Sequence, residues 1–170
     1  MSFESTLHGL ALLPGFSEFN SLMEGPLFIL FFAVVALAAF IILKKRSSRA
    51  ALLFSIVLAV VLSTLLKLLY AEVRPCAGSG SCVDGYGFPS AHSALFFAIA
   101  MPMFGTKWFY GFLLVAVVVA LSRVVEGVHT IPQIVAGMAL GFVCSVIANS
   151  VVGIAGAAYA KINYKRGKNR

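Results

Sequence analysis

The chain has 170 residues, of which 61% are hydrophobic and only 11% are charged, and its net charge is +7. Soluble domains carry about 25% charged residues, so the composition excludes an ordinary soluble domain and predicts an all-α integral membrane protein with one domain. The basic residues cluster at the ends of apolar runs and not on a solvated face, which argues against a nucleic-acid partner.

The N-terminal segment mixes apolar and charged side chains. Residues 3–22 include Glu4, His8 and Glu18 among large apolar residues, and Pro14-Gly15 interrupts them. We predict an amphipathic segment over residues 1–24 that lies on the membrane surface and does not cross it. A poorly ordered tail is the alternative interpretation. No secretory signal peptide is predicted, because an early Lys or Arg is missing.

Five apolar segments follow, at roughly 25–43, 50–70, 89–105, 107–123 and 131–158. A transmembrane helix needs about 20 apolar residues, and the third and fourth segments are near the lower limit. We predict a polytopic bundle of about five transmembrane helices in a single membrane-embedded domain over residues 25–160, with a basic cytoplasmic tail over residues 161–170. Short spans thin the bilayer locally, which would suit a site reached from the lipid phase.

Positive charge is distributed unevenly between the two ends of this predicted bundle. All but three of the 13 Lys and Arg residues fall on one side, which the positive-inside rule makes the cytoplasm. The exceptions are Lys67, Arg74 and Arg123. They share the opposite side with all the acidic residues, which are Glu4, Glu18, Glu24, Glu72, Asp84 and Glu126.

Two of the three cysteines lie in residues 75–88, the predicted outer connection between the second and third apolar segments. An extracytoplasmic location permits a disulfide between Cys76 and Cys82, and two free thiols are the alternative. Cys144 lies within a predicted span and is interpreted as a packing residue. No spacing of cysteine and histidine resembles a zinc site.

The first cluster of candidate functional residues is Lys67-Leu-Leu-Tyr-Ala-Glu-Val-Arg74-Pro75. Seven residues make about two helical turns, so Lys67 and Arg74 would point the same way on a helix that Pro75 ends. Taken alone, Arg74 fits equally well as a cation at a helix end whose side chain extends to the membrane–water interface. Lys67 lies deeper and needs an anionic partner, for which Glu72 and a bound phosphate are the candidates.

Two further clusters contain histidine. In Pro89-Ser90-Ala91-His92, Ser90 is a natural helix N-cap, and the free N–H groups behind it would form an anion site beside His92. In the second, Ser122-Arg123 is followed by His129, and arginine offers a planar fork of donors to phosphate oxygens. Each histidine alone also fits a structural role.

Together the three clusters resemble the signature of the phosphatidic acid phosphatase type 2 superfamily of lipid phosphatases. Its pattern is Lys-x6-Arg-Pro, Pro-Ser-x-His and Ser-Arg-x5-His, and this chain agrees at all nine fixed positions over roughly residues 50–150. The resemblance implies a lipid phosphate as substrate within a bilayer and no metal or other cofactor.

The resemblance also implies roles for individual residues. His129 would be the nucleophile, and His92 would be the general acid and base. Developing negative charge would be held by a phosphate-binding set made of Lys67, Arg74, Ser90, Ala91 and Arg123.

The chain departs from the family pattern at Gln133, because the family has Asp four residues after the nucleophilic histidine. In the first interpretation Gln133 orients His129 well enough for catalysis. In the second, Glu126 supplies the missing carboxylate. In the third, the site binds lipid phosphates but turns them over slowly or not at all. Thr130-Ile-Pro-Gln133 also reads as a helix capping box.

The resemblance predicts a phosphatase of the cytoplasmic (inner) membrane whose active site opens on the extracytoplasmic face. Candidate substrates are undecaprenyl pyrophosphate, phosphatidylglycerol phosphate and the 1-phosphate of lipid A. A catalytically inactive phospholipid-binding protein is the alternative, and a small transporter is a weaker one, because no inverted repeat is present. Gly137-x3-Gly141 predicts close helix packing within the bundle in preference to dimerisation.

Overall fold

The computed structural model describes residues 26–77, 82 and 85–168, and this part of the chain forms five α-helices and one short 3-10 turn. The helices are α1 (Pro26–Ile42), α2 (Arg46–Tyr70), α3 (Ala91–Ala100), α4 (Phe109–Val125) and α5 (Ile131–Lys168). The 3-10 turn (Met101–Met103) extends α3. The predicted all-helical class is confirmed for these residues, while the predicted interfacial segment lies outside them.

Two of the helices, α2 and α5, are long and apolar enough to cross a membrane. The other three form shorter apolar helices, over Leu27–Ile42, Ala91–Met103 and Phe109–Val125. Helices of this length are near the lower limit for a span. The all-helical, apolar architecture fits a membrane protein, and the count of five spans stays a prediction.

Both long helices extend beyond their predicted bounds at the basic end. α2 begins at Arg46, so Arg46 and Arg49 belong to its first turn and not to the connection. Arg49 Nε donates hydrogen bonds to the carbonyl oxygens of Phe40 (3.0 Å) and Leu43 (2.6 Å) at the end of α1. α5 continues to Lys168, through most of the predicted tail, because Lys and Arg there are good helix formers.

α2 ends earlier than Pro75, contrary to the prediction. Its last residue is Tyr70, and Ala71 takes a left-handed conformation with φ 45° while its N–H bonds the Lys67 carbonyl oxygen at 3.0 Å. This is a standard way to close a helix C-terminus. Pro75 additionally disfavours helix at Arg74. Arg74 therefore lies outside the helix, and the argument from two helical turns is wrong.

α3 occupies the centre of the bundle, where it packs against α2, α4 and α5. Its contact with α5 depends on glycine. A Cβ at Gly137 would collide with the carbonyl oxygen of Ser90, and one at Gly141 would collide with that of Ala94. The predicted use of these glycines for packing within the bundle is confirmed.

Candidate active site

The turn between α4 and α5 folds back onto the last turn of α4. The backbone N–H groups of Val128 and His129 both donate to the carbonyl oxygen of Arg123, at 3.2 and 3.1 Å. Gly127 permits this reversal, because its φ of 70° is a backbone conformation that residues with a side chain rarely adopt. The turn therefore holds His129 beside Arg123, and the two side chains are only 3% and 2% exposed.

α5 begins with the predicted capping box. The backbone N–H of Gln133 donates to Thr130 Oγ1 at 3.4 Å, and the backbone N–H of Thr130 donates to Gln133 Oε1 at 3.2 Å. These reciprocal bonds satisfy two donors that the start of a helix leaves open. The same box fixes the side chain of Gln133, which is 1% exposed, at the start of α5.

Gln133 also contacts the imidazole of His129. Its Oε1 lies 2.9 Å from His129 Nδ1. Because the backbone N–H of Thr130 can only donate, the atom that it meets must be the carbonyl oxygen of the Gln133 amide. An oxygen only accepts, so neutral His129 carries its proton on Nδ1. Nε2 then keeps its lone pair, which is the tautomer that a nucleophilic histidine needs.

The other end of the Gln133 amide meets a carboxylate. Gln133 Nε2 donates to Glu72 Oε1 at 2.6 Å, across 61 positions of the sequence. Gly87 lies against this amide, since a Cβ there would approach Gln133 Nε2 to 2.7 Å. The backbone N–H of Gly87 donates to the Glu72 carbonyl oxygen at 2.7 Å. Glu72, Gln133 and His129 therefore form one continuous hydrogen-bonded chain.

His129, which lies in the connection between α4 and α5, is held in its neutral form. Its pKa is lowered from the ordinary 6.5 to about 4, chiefly by burial and also by repulsion from Arg74, Lys67 and Arg123, while the bond to Gln133 acts in the opposite direction. All three predicted cations therefore act electrostatically on this ring. A neutral imidazole with a free Nε2 is available for nucleophilic attack at neutral pH.

Lys67 and Arg74 contact neighbouring carbonyls of the outer connection. Lys67 Nζ donates to the Tyr86 carbonyl oxygen at 2.5 Å, and Arg74 Nε donates to that of Gly85 at 3.2 Å. Glu72, the predicted candidate partner of Lys67, instead binds Gln133. The two cations thus converge on one short stretch of backbone, although they do not share a helix.

Arg123 is paired with Glu126, three residues later. Its Nη2 forms a buried salt bridge with Glu126 Oε1, with side chains that are 2% and 5% exposed. A buried guanidinium is costly unless an anion compensates it. The carboxylate that the structure links to His129 through Gln133 is Glu72, whereas Glu126 contacts the arginine.

The start of α3 lies next to the start of α5. Ser90 is the N-cap, as predicted, and its Oγ accepts from the Ser93 N–H at 3.5 Å. The Ser90 N–H donates to the Gln133 carbonyl oxygen at 3.0 Å, which ties the two helix starts together. Ala91 and His92 form the first turn of α3, and the Phe28 ring of α1 lies 4.2 Å from the His92 ring.

The outer connection is closed by a disulfide between Cys76 and Cys82, which was one of the two predicted states. Cys144 is buried and has a free thiol, as expected of a packing residue. In the part of the chain that the structure describes, no three His, Cys, Asp or Glu side chains come together as a candidate metal site.

The structure thus groups Arg123, His129 and Gln133 by direct contacts and joins Ser90 to them through the backbone. Lys67 and Arg74 act electrostatically on the His129 ring. His92 lies in the first turn of α3, directly after Ser90 and Ala91. The sequence missed the contact between Glu72 and Gln133 and the cover that Phe28 gives to His92. Both pair residues that are distant in sequence, and no local pattern marks them.

Three comparisons bear on the family of this chain. The family model described as PAP2 superfamily matches residues 48–156. LpxE of Aquifex aeolicus is similar in structure, with a TM-score of 0.57 and 23% identity over 74% of this chain and 87% of that one. A transmembrane PAP2-type phosphatidylglycerolphosphate phosphatase from Bacillus subtilis has a TM-score of 0.61 and 17% identity over 87% and 83%.

Among curated proteins, no sequence matches this chain. Because the two solved structures are less than 25% identical to this chain, they establish only a shared fold. The family model matches more than half of the sequence and includes all three signature clusters. The resemblance seen in the signature is therefore confirmed, and this membrane protein belongs to the PAP2 superfamily.

Proposed function

We propose that this chain is a membrane lipid phosphatase that works through a phosphohistidine on His129. The observation that carries the proposal is the fixed tautomer of His129. Gln133 Oε1 lies 2.9 Å from Nδ1 and leaves Nε2 unprotonated in a ring whose charged form is disfavoured. Nucleophilic catalysis by histidine needs both conditions.

The reaction has two steps. In the first, Nε2 of His129 attacks the phosphorus, an N–P bond forms, and the bond from phosphorus to the leaving oxygen breaks while His92 donates a proton to that oxygen. In the second, His92 removes a proton from water, which attacks the phosphohistidine. The N–P bond then breaks, inorganic phosphate leaves, and both histidines regain their starting protonation.

The positive charges near His129 support this chemistry. Lys67, Arg74 and Arg123 would bind the non-bridging oxygens, where negative charge gathers in the transition state. Ser90 caps α3, so the N–H groups behind it, beginning at Ala91, add the positive end of the helix dipole. In the substrate complex the phosphate would compete with Glu126 for Arg123 and with backbone carbonyls for the other two cations. These charges supply the role that a metal plays elsewhere, so we expect activity without metal.

Substrate and orientation follow from the membrane setting. The candidate substrates are undecaprenyl pyrophosphate, phosphatidylglycerol phosphate and the 1-phosphate of lipid A, which all carry a phosphate at the membrane surface. We place the site on the extracytoplasmic face of the cytoplasmic membrane. The basic residues at the other end and the Cys76–Cys82 disulfide support this side, because disulfides persist in oxidising compartments.

Phosphate release from each of the three lipids by the purified protein tests the proposal. We expect release that resists EDTA, is inhibited by orthovanadate, and is lost in His129→Ala and His92→Ala. Lys107→Ala, which removes an exposed cation before α4, is the matched control and should keep the wild-type rate. Binding of these lipids without any release of phosphate would overturn the enzyme and favour a phospholipid-binding protein.

A further inference from the structure

The family position that normally holds Asp is Gln133 here. A carboxylate, that of Glu72, is nevertheless hydrogen-bonded to the Gln133 amide. Glu72 Oε1 accepts from Gln133 Nε2 at 2.6 Å, and Gln133 Oε1 lies 2.9 Å from His129 Nδ1. We propose that Glu72 is a positioning residue that acts on His129 through the Gln133 amide and replaces the missing Asp. This inference rests on the proposed function and assigns Glu72 a part in it.

The geometry leaves the amide one orientation. A carboxylate oxygen accepts and a backbone N–H donates, so Glu72 must face the NH₂ group and Thr130 must face the carbonyl oxygen. Turning the amide over would place donor against donor at Thr130 and acceptor against acceptor at Glu72. Each partner alone would bias the amide, and the two together lock it, which in turn locks the proton of His129 on Nδ1.

Glu72 also changes how strongly Gln133 accepts. Hydrogen bonds in a chain polarise one another, so a carboxylate on the NH₂ group increases the negative charge on the amide oxygen. That oxygen then stabilises positive charge on the ring as the phosphohistidine forms. The effect is weaker than that of an Asp in direct contact, because the carboxylate is one amide removed from the imidazole.

The structure holds Glu72 in place for this role. α2 stops at Tyr70, and the left-handed Ala71 turns the chain so that Glu72 leaves the helix axis. The Glu72 carbonyl oxygen is bound by the Gly87 N–H, and Gly87 leaves no space between its backbone and the Gln133 amide. A longer α2, as the sequence predicted, would have kept Glu72 on the helix.

Other charged or titratable groups lie near His129. They are Lys67 in the last turn of α2, Arg74 in the connection after it, Arg123 at the end of α4, Glu126 in the following turn and His92 on α3. The three cations disfavour the charged imidazole. Glu72 carries the opposite charge, and its removal should make His129 still harder to protonate.

A double-mutant cycle between positions 72 and 133 tests the inference, because Glu72→Gln should change kcat in opposite directions in the two backgrounds. In the wild-type background, Glu72→Gln should lower kcat about tenfold with little change in KM, as is typical when a positioning partner is lost. Glu72→Asp should recover part of the loss. In Gln133→Asp, however, two carboxylates face each other, so adding Glu72→Gln should raise kcat. A decrease in both backgrounds would overturn the inference.

The acid limb of the pH–rate profile gives a second readout. Protonation of His129 Nε2 abolishes attack, and loss of the Glu72 charge makes that protonation harder. The acid limb of kcat/KM in Glu72→Gln should therefore shift to lower pH even as its plateau falls. A variant that merely loosens the fold would lower the plateau without this shift, which would contradict the positioning role.

Nitrogen NMR of histidine-labelled protein separates this inference from the proposed function, because it needs no turnover. The sequence has three histidines, so His129 is assigned by comparison with His129→Gln. We expect Nδ1–H in the wild type and a mixture of tautomers in Glu72→Ala. An unchanged tautomer would overturn the role of Glu72 even in an active enzyme. A locked tautomer in a protein that releases no phosphate would overturn the proposed function alone.

Discussion

The two ends of the bundle each bury part of an arginine, and the partners of these arginines differ. Arg49 donates to the carbonyl oxygens of Phe40 and Leu43 and lies 4.9 Å from the Phe40 ring. Those carbonyls are at the C-terminal, negative end of α1, so the charge is balanced within the fold. Arg123 instead lies with two other cations near the N-terminal, positive end of α3.

The different partners of Arg49 and Arg123 indicate different roles for the two arginines. A cation at the negative end of a helix dipole is a structural contact that needs nothing more. Cations gathered near a positive helix end repel one another, and only carboxylates or a bound anion can offset the cost. In the proposed function, the end that holds His129 receives the phosphate of the substrate, while Arg49 at the other end is satisfied by backbone carbonyl oxygens.

We expect the largest effect from a change at His129 itself. His129→Ala should reduce phosphate release by a factor of about 10⁴ or more, because the nucleophile of a covalent mechanism has no substitute. Binding of the lipid should persist, since the three cations remain. Release rates and equilibrium binding in the same detergent would check this, and a substantial residual rate would mean that another group attacks.

A matched pair of arginine variants tests whether Arg123 and Arg49 have different roles. Arg123→Ala should lower kcat by roughly 10²–10³, the usual loss for one donor to a developing negative charge. Arg49→Ala should leave kcat near that of the wild type and lower the free energy of unfolding by about 1–3 kcal/mol, since two partly buried carbonyls lose their donor.

Steady-state kinetics and thermal unfolding of both variants distinguish the two roles. Equal losses of kcat in Arg123→Ala and Arg49→Ala would contradict a catalytic role for Arg123 alone, because both arginines would then act through the fold.

Much of this division was predictable from the sequence. The charge asymmetry marked Lys67, Arg74 and Arg123, and the spacing of the signature joined them to His92 and His129. Ser90 and the box from Thr130 to Gln133 are local patterns, and both caps were predicted correctly. Local patterns suffice where the partners lie within one helical turn of each other.

The failures share one physical origin. The end of α2 depends on Ala71, which carries no side-chain signal for a left-handed turn. That turn places Glu72 against Gln133 across 61 positions, and only the packing of α2 beside α5 brings them together. Lys67 consequently contacts the Tyr86 carbonyl oxygen and not Glu72, which was one of its two predicted partners.

The pH dependence of stability is an effect of intermediate size, and it comes from His129. Its folded pKa of about 4 lies below the ordinary 6.5, so the folded state binds fewer protons than the unfolded state between these values. Stability should therefore fall as the pH drops from 6.5 to 4 and lose this dependence below 4. Thermal unfolding should show a flatter pH dependence in His129→Gln, and an identical dependence would contradict the buried neutral imidazole.

The smallest expected effect concerns the disulfide of the outer connection. Reduction of Cys76–Cys82 should lower the rate only a few-fold, because Lys67, Arg74 and the backbone of Gly87 still hold the connection in place. Rates before and after reduction check this, with Cys76→Ser/Cys82→Ser as the permanent form. Complete loss of activity would show that the disulfide, and not the cations, positions the connection.

The most direct test asks whether phosphate is transferred to His129. The protein is mixed briefly with a lipid pyrophosphate, quenched in alkali, where phosphohistidine survives, and mapped by mass spectrometry of its peptides. A phosphoryl group on the peptide that contains His129, absent in His129→Gln, is the predicted result. Phosphate release with no adduct on His129, or with an adduct on His92, would contradict the proposed mechanism.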